Sequence, residues 1–332
     1  MRVALDAMTS ELGVEESIHG LFDALAALPD LEVLAVGEPK VLEPLLSKGP
    51  AALRSRAHLA PASEVIGMDE EPGAAFKSKK DASVSVACRL VKEGKAQAAV
   101  SPGNTGASMA AATLTLGRID GVRRPAIMTL IPNGRSFTGL LDSGAVTDSR
   151  PDDLVQWAVM GSLYMQHVRG VGQPRVGLLS IGEEDKKGNL QTLEALPLLR
   201  ATGLNFKGNC EGRDIFNGQF DVVVCDGFVG NVVLKTAEGM AKAILGSLRN
   251  EYEHASPFGK LGGLLSKPVF GKLRTAFSPD QAGGAALLGV AGNFIITHGH
   301  SNRVMLSNAL RVGAECISHD LTAQMATAFK TS

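Results

Sequence analysis

The chain has 332 residues, 45% of them hydrophobic and 20% charged, with 33 basic against 34 acidic side chains. That length suits one large or two medium domains whose core needs no staples. A net charge of −1 supplies no global field for wrapping a nucleic acid. Four dispersed cysteines (Cys88, Cys210, Cys225, Cys316) form no CxxC pair and read as reduced thiols, and no apolar run approaches the ~20 residues of a membrane span.

MRVALDAM begins at once as a strand over 3–7, with no leader pattern ahead of it, so the expected setting is cytoplasmic. A helix pattern follows over 15–28 and a strand over 31–37. The alternation continues with helix 80–94, strand 96–101, helix 105–117, strand 126–132, helix 152–169, strand 176–182, helix 190–202, strand 221–227 and helix 231–252. The strands are continuous apolar runs such as DVVVCDG, as expected where both faces of a parallel sheet are covered. A layered α/β fold follows. There is no internal repeat, no low-complexity linker and no clean domain boundary, so 1–332 is taken as one domain.

The segment 256–278 differs from the rest. Lys260, Lys267, Lys272 and Arg274 interleave there with Leu261, Leu264, Leu265, Val269, Phe270, Leu273 and Phe277, and no acid is present. This pattern fits an interfacial membrane segment. The alternative is a helical hairpin packed on the domain or on a second subunit, and the pattern alone favours the hairpin.

In parallel sheets, ligands bind at the carboxyl ends of the strands. Four polar, Gly-containing turns sit there: SPGNTGAS (101–108), DSGAVTD (142–148), GEEDKKGN (182–189) and CDGFVGN (225–231). SPGNTGAS opens a helix, and its free N–H groups with Asn104, Thr105 and Gly106 suit a phosphate; the plain alternative is a capped helix. In GEEDKKGN, Lys186 and Lys187 offer cations that Glu183, Glu184 and Asp185 are placed to orient, and Gly188 and Asn189 follow; the alternative is a solvated loop. CDGFVGN places Asp226, Gly227 and Asn231 together, with Lys235 one helical turn on; the alternative is again a cap, with Asp226 in a turn. No metal-ligand spacing, GxSxG, GxGxxG or P-loop motif occurs. His298 and His300 are catalytic candidates, although turn histidines are commoner.

Taken together, ALDAM (4–8), KKDAS–VACRLVKEG (79–94), SPGNTGA (101–107), GRIDGVRRPA (117–126), LVQWAVMGS (154–162), RVGLLSIGEEDKKGN (175–189), DVVVCDGFVGNVVLKTAEG (221–239), GGAALLG (283–289) and HG (298–299) resemble the phosphate acyltransferase family of bacterial phospholipid synthesis. The resemblance implies a doubly wound, mostly parallel α/β sheet in two lobes, akin to phosphotransacetylases and isopropylmalate-type dehydrogenases, and usually homodimeric. It implies transfer of a long-chain acyl group from the thioester of acyl-carrier protein to inorganic phosphate, with no cofactor or metal. Lys187 and Asn231 match its catalytic lysine and asparagine. The remaining site candidates are Asn104, Thr105, Gly106, Glu184, Gly188, Asn189, Asp226, Gly227 and Lys235, for substrate or phosphate. The family also carries a membrane-associating hairpin at the position of 250–278, which implies peripheral membrane contact.

The chain departs from the family pattern in two turns. Thr9, Ser10 and Glu11 stand where Gly, Gly and Asp are usual, and Val146 stands where an asparagine is usual in a turn expected to face the site. Pro102, where alanine is usual, removes one backbone donor. An ordinary enzyme, a paralogue with another donor or acceptor, and an inactive binding partner are the competing accounts, in that order. A docking surface for an acidic carrier protein is expected to be basic, drawing on Lys79, Lys80, Arg118, Arg123 and Arg124.

Overall fold

The computed structural model describes residues 1–276 and 283–330. Eleven strands form one sheet: β1 (Arg2–Asp6), β2 (Glu32–Gly37), β3 (Ala57–Pro61), β4 (Ala98–Ser101), β5 (Ala126–Pro132), β6 (Phe137–Leu141), β7 (Val176–Leu179), β8 (Phe206–Cys210), β9 (Val222–Val224), β10 (Ala285–Leu288) and β11 (Asn293–Ile296). Their order is β3-β2-β1-β4-β11-β10-β5-β6-β9-β7-β8. The blocks β3-β2-β1-β4-β11 and β6-β9-β7-β8 are each parallel internally. Three antiparallel pairings, β11 with β10, β10 with β5 and β5 with β6, join them. The two parallel blocks therefore run in opposite directions.

Successive strand residues are buried on opposite faces, which is why the apolar runs do not alternate with polar residues. Val3 and Leu5 of β1 enter one core and Ala4 the other. One core spans a whole face of the sheet, taking Ile18, Leu21 and Leu25 from α1 (Val14–Ala27), Trp157 from α6 (Pro151–His167) and Leu310 from α10 (Arg303–Ser318). The opposite face carries two separate cores. One packs under α4 (Ser83–Lys92) and α5 (Thr105–Leu116), and the other holds Leu140, Val223 and Cys225 with Val229 and Val233 of α8 (Gly227–His254) packed against it. This division is the two-lobed character of the fold.

All six expected strands and six expected helices are present, with shifted ends. The strands expected to run to 182 and to 227 stop at Leu179 and Val224, because the chain turns into the polar loops. β3, β6, β8, β10 and β11 had no expectation: they are short and contain Gly, Asn, Pro or Ala-rich runs with weak strand signatures. Additional helices are α2 (Pro39–Ser47), α3 (Pro72–Ser78), α10 and α11 (Leu321–Lys330), and α7 is Leu190–Arg200.

The helix expected over 231–252 starts one turn earlier, at Gly227, capped by Asp226, whose Oδ1 accepts from Val229 N at 2.9 Å. Gly230 is a poor helix former, yet it is required here: a Cβ at that position would lie 1.8 Å from the Asp142 carbonyl oxygen. The expected hairpin is the end of α8 followed by α9 (Pro257–Ala276), its first arm being continuous with the helix that begins at Gly227; Phe277 and Ser278 lie outside the described residues. Tyr252 and Phe270 hold its two arms together, ring edge to face at 5.5 Å. Among the described residues, no helix is long and apolar enough to cross a membrane.

Gly230→Ala is expected to lower the denaturation free energy by about 1–3 kcal/mol through overpacking against Asp142. Gly239→Ala on the same helix, with open space around its Cβ, is expected to be neutral or stabilising by up to ~1 kcal/mol. Urea titrations of both variants check this contrast.

Candidate functional site

Each parallel block ends in a buried aspartate that shapes its loops. Asp6, at the end of β1, is fully buried and accepts from Thr9 Oγ1 and Ser101 Oγ, each at 2.8 Å. Burial pushes its carboxyl above the usual range, and these hydrogen bonds pull against that rise. Ser101 Oγ in turn accepts from Gly103 N at 3.2 Å, so the network pins the turn into α5. Asp142, just past β6, is the counterpart. Its carboxylate accepts from the N–H groups of Ile127, Gly144, Ala145 and Val146 at 2.7–3.2 Å, and burial raises its pKa against those bonds. Neither aspartate figured among the expected site residues, although ALDAM and DSGAVTD contain them. A lone Asp at a strand end gives no sign in sequence of whether it faces solvent or organises a loop.

At the start of α5, the Asn104 side chain is committed to the fold. Its Oδ1 caps Ala107 N at 3.0 Å and its Nδ2 donates to Met68 O at 2.8 Å. Thr105 and Gly106 are different. Their N–H groups lie in the first helical turn, where no intrahelical acceptor exists, and Thr105 is exposed. The anion-ready part of this loop is therefore Thr105–Gly106, with Asn104 as its buttress.

The loop after β7 sorts in the same way. Asn189 caps α7, accepting from Thr192 N at 2.9 Å. Gly188 has φ +130°, and a Cβ there would meet Thr192 Oγ1 at 2.1 Å. Glu184 closes the turn through its backbone oxygen, which accepts from Lys187 N at 2.9 Å. The acids do not orient the lysines as expected: Asp185 pairs with both arms of Arg200 at 2.6–2.7 Å, and Glu183 pairs with Arg213 at 3.3 Å. The reason is competition, since Arg200 and Arg213 are brought to these carboxylates by neighbouring elements. The Lys187 ammonium is exposed and has no hydrogen bond or ion pair among the described residues.

On α8, Asp226 is a cap, and Gly227 N donates to Val146 O at 2.8 Å. Asn231 is exposed with no side-chain hydrogen bond among the described residues, and it flanks the β6 loop: a Cβ on Gly144 would lie 3.6 Å from it. Lys187 and Asn231 emerge from the same sheet edge, from adjacent strands β7 and β9, without a contact joining them. Lys235, two turns into α8, crosses to the other block. Its Nζ lies 3.0 Å from Glu238 Oε2 and 3.5 Å from Nε2 of His298, in the loop after β11.

All four cysteines are free and buried, and burial pushes their thiols up, that of Cys316 to about 12, so none supplies a thiolate nucleophile. No group of three or more His, Cys, Asp or Glu side chains is arranged to hold a metal among the described residues.

The Fatty acid synthesis protein family model matches residues 1–324. Phosphate acyltransferase of Heliobacterium modesticaldum is 49% identical over 323 residues, covering 97% of this chain and 96% of that protein. Phosphate acyltransferase of Desulfitobacterium hafniense (strain Y51) is 48% identical over 318 residues, 96% and 94% of the two chains. The chain belongs to the phosphate acyltransferase family. It is thus an acyltransferase. Among solved structures it is similar to a phosphotransacetylase from Streptococcus pyogenes (TM-score 0.62, 16% identity, 96% of this chain and 94% of that one). It is also similar to a branched-chain phosphotransacylase from Enterococcus faecalis (TM-score 0.59, 12% identity, 96% and 99%). At those identities the likeness establishes the fold, which is the phosphotransacetylase-like α/β fold expected.

The two unusual turns are built into this frame. Thr9 completes the Asp6 network, Ser10 Oγ donates to Ser301 O at 3.2 Å, and Glu11 pairs with His300. Val146 does not face the site as expected. It is buried in the core that spans the sheet, because its N–H and C=O are tied to Asp142 and Gly227 and turn its side chain inward. The basic residues of the expected docking surface are partly spent. Arg123 pairs with Asp152 and Asp153, Lys79 with Glu70, and Arg118 donates to the Arg123 carbonyl, whereas Arg124 is exposed and Lys80 lies over the Phe76 ring.

Restoring the family's residue with Val146→Asn is expected to reduce stability by about 1–3 kcal/mol, because a buried amide is left without partners. It is expected to leave acyl-transfer turnover within a few-fold of the parent. Thermal unfolding and a thiol-release assay on the one variant check both statements.

Proposed function

We propose that this chain transfers a long-chain acyl group from the thioester of acyl-carrier protein to inorganic phosphate, releasing acyl phosphate and the free carrier. One observation carries the reading. In each site loop the capping and turn residues are committed to the fold, while one donor is left unspent: the Thr105–Gly106 turn, the Lys187 ammonium and the Asn231 amide. A direct transfer needs this equipment. Phosphate sits on free N–H groups at the start of α5, Lys187 neutralises charge on phosphate or on the developing oxyanion, and Asn231 donates to the thioester carbonyl. The thiolate is a good leaving group, so the step proceeds without a protein nucleophile.

An apolar acyl donor is supported by what surrounds those donors. Ile181 and Leu190 flank the Lys187 loop at 80% and 73% exposure, and Phe228 and Val232 flank Asn231 at 63% and 51%. An acidic carrier is supported by a groove of about 500 Å³ beside Phe76 whose charged lining is three cations, Lys80, Arg89 (paired with Asp81) and Lys92, against one acid, Glu93. In the same reading the protein is a cytoplasmic homodimer that meets the membrane peripherally through the α8–α9 hairpin. Exposed Phe258, Leu261, Leu264, Leu265 and Val269, set among Lys260 and Lys267, support that role.

Thiol release from long-chain acyl-carrier protein is expected to depend on inorganic phosphate and to yield a product trapped by hydroxylamine as a hydroxamate. Lys187→Ala and Asn231→Ala are each expected to lower kcat/KM by about 10²-fold or more. Turnover near wild type in either variant removes that residue's role, and phosphate-independent release removes the acceptor. In flotation with anionic vesicles, Phe258→Asp combined with Leu265→Asp is expected to abolish binding.

A further inference from the structure

The reaction proposed above has a proton to move, and none of the donors assigned so far can move it. Near neutral pH the attacking phosphate dianion carries one proton. The acyl phosphate dianion it becomes carries none, and the departing sulfur ends as a thiol. Each turnover therefore takes one proton from a phosphate oxygen to sulfur. A Lys ammonium and an Asn amide are donors and cannot accept that proton.

The contact between the two blocks of the sheet supplies a group that can. Nε2 of His298 lies 3.5 Å from Lys235 Nζ. An ammonium offers only hydrogens, so this contact is a hydrogen bond only in the neutral tautomer that carries its proton on Nδ1 and leaves Nε2 to accept. The loop that carries His298 is fixed: Ser301 N and Oγ both donate to the His298 carbonyl, and Glu11 N donates to Gly299 O at 2.9 Å. The charged and titratable groups facing the ring are Lys235, Glu238 and Lys242 on α8 and His300 on its own loop, with His300 in turn paired to Glu11. Burial and the Lys235 charge hold the His298 pKa below the usual imidazole range, with Glu238 pulling the other way.

We propose that His298 is the acid–base residue of the acyl transfer. On this assignment, which rests on the proposed function, the bound phosphate draws the Lys235 ammonium onto itself and frees Nε2. As a phosphate oxygen bonds to the thioester carbon, Nε2 takes the phosphate proton and the ring becomes imidazolium. When the carbon–sulfur bond breaks, its electron pair stays on sulfur, which receives the proton from Nε2. The ring ends neutral, as it began. The site then straddles both sheet blocks, with His298 from one and Lys187, Asn231 and Lys235 from the other.

The sign of the pH dependence follows. The base form is present at neutral pH and is lost as pH falls through the depressed His298 pKa, so kcat/KM has an acid limb below the usual imidazole range. The test is the pH profile of phosphate-dependent hydroxamate formation by wild type, His298→Gln, His298→Ala and Lys235→Met, with thermal unfolding establishing that each variant folds. Phosphate's own titration is common to all four proteins and cancels in the comparison. His298→Gln is expected to lose the limb and at least about 10²-fold in kcat/KM, and His298→Ala to regain activity with added imidazole. Lys235→Met, by removing the charge that depresses the ring, is expected to move the limb to higher pH. Retention of the limb by His298→Gln, no rescue of His298→Ala, or an unmoved limb in Lys235→Met overturns the proposal. A wild-type protein that makes no hydroxamate from any long-chain acyl thioester overturns the proposed function itself, and this inference with it.

Discussion

The packing of Asp142 against the first turn of α8 is the constraint on which the rest of the site depends. The carboxylate gathers the N–H groups of the β6 loop, and the carbonyl of the same residue lies where any side chain at position 230 would stand. Contact that close fixes both where α8 begins and the direction in which it leaves. Direction matters because the two parallel blocks point opposite ways, so their carboxyl edges do not form one continuous row. A helix of 28 residues at ~1.5 Å rise per residue spans roughly 40 Å. Started at Asp226, it presents Asn231 beside the β6 loop and carries Lys235 across to the loop of the opposing block.

A buried aspartate is an expensive way to shape a loop, since desolvation opposes its charge. Asp6 and Asp142 offset that penalty differently. Asp142 takes backbone N–H groups, which constrain chain path and leave side chains free to vary. Asp6 takes hydroxyls from Thr9 and Ser101, so its surroundings depend on side-chain identity. This difference explains how the β1 turn accommodates Thr9, Ser10 and Glu11. Each finds a partner of its own, and none of the three has a positive φ that would demand glycine; the positive φ of this turn falls at Gly13. Val146 is accommodated for the opposite reason, as the turn around Asp142 directs that side chain into the core.

Much of the fold was legible because burial on both faces leaves a strong mark: runs such as AIMTLIP and DVVV read as strands covered on both faces, although β5 (AIMTLIP) pairs antiparallel on both sides, which the run itself does not show. β6, β10 and β11 left no such mark. FTGLL, AALL and NFII are four or five residues long, and they become strands only because neighbours on both sides supply hydrogen bonds. Within the candidate site, the residue types of the loops were legible and their division of labour was not. Asn104, Asn189 and Asp226 carry side chains suited either to a ligand or to a helix start, and the backbone takes all three.

By itself, the sequence determined the class of fold, the four polar turns at strand ends and, through long motif matches, the family, because these depend on local pattern and on residues adjacent along the chain. Only the tertiary structure decided that Glu183 and Asp185 serve arginines rather than Lys187, that Val146 faces inward, and that His298 meets Lys235 across 63 residues of chain. The physical reason is common to all three. Which partner a polar or apolar side chain takes is set by what other elements bring within about 4 Å of it, and that depends on strand order and helix direction, to which no local pattern refers.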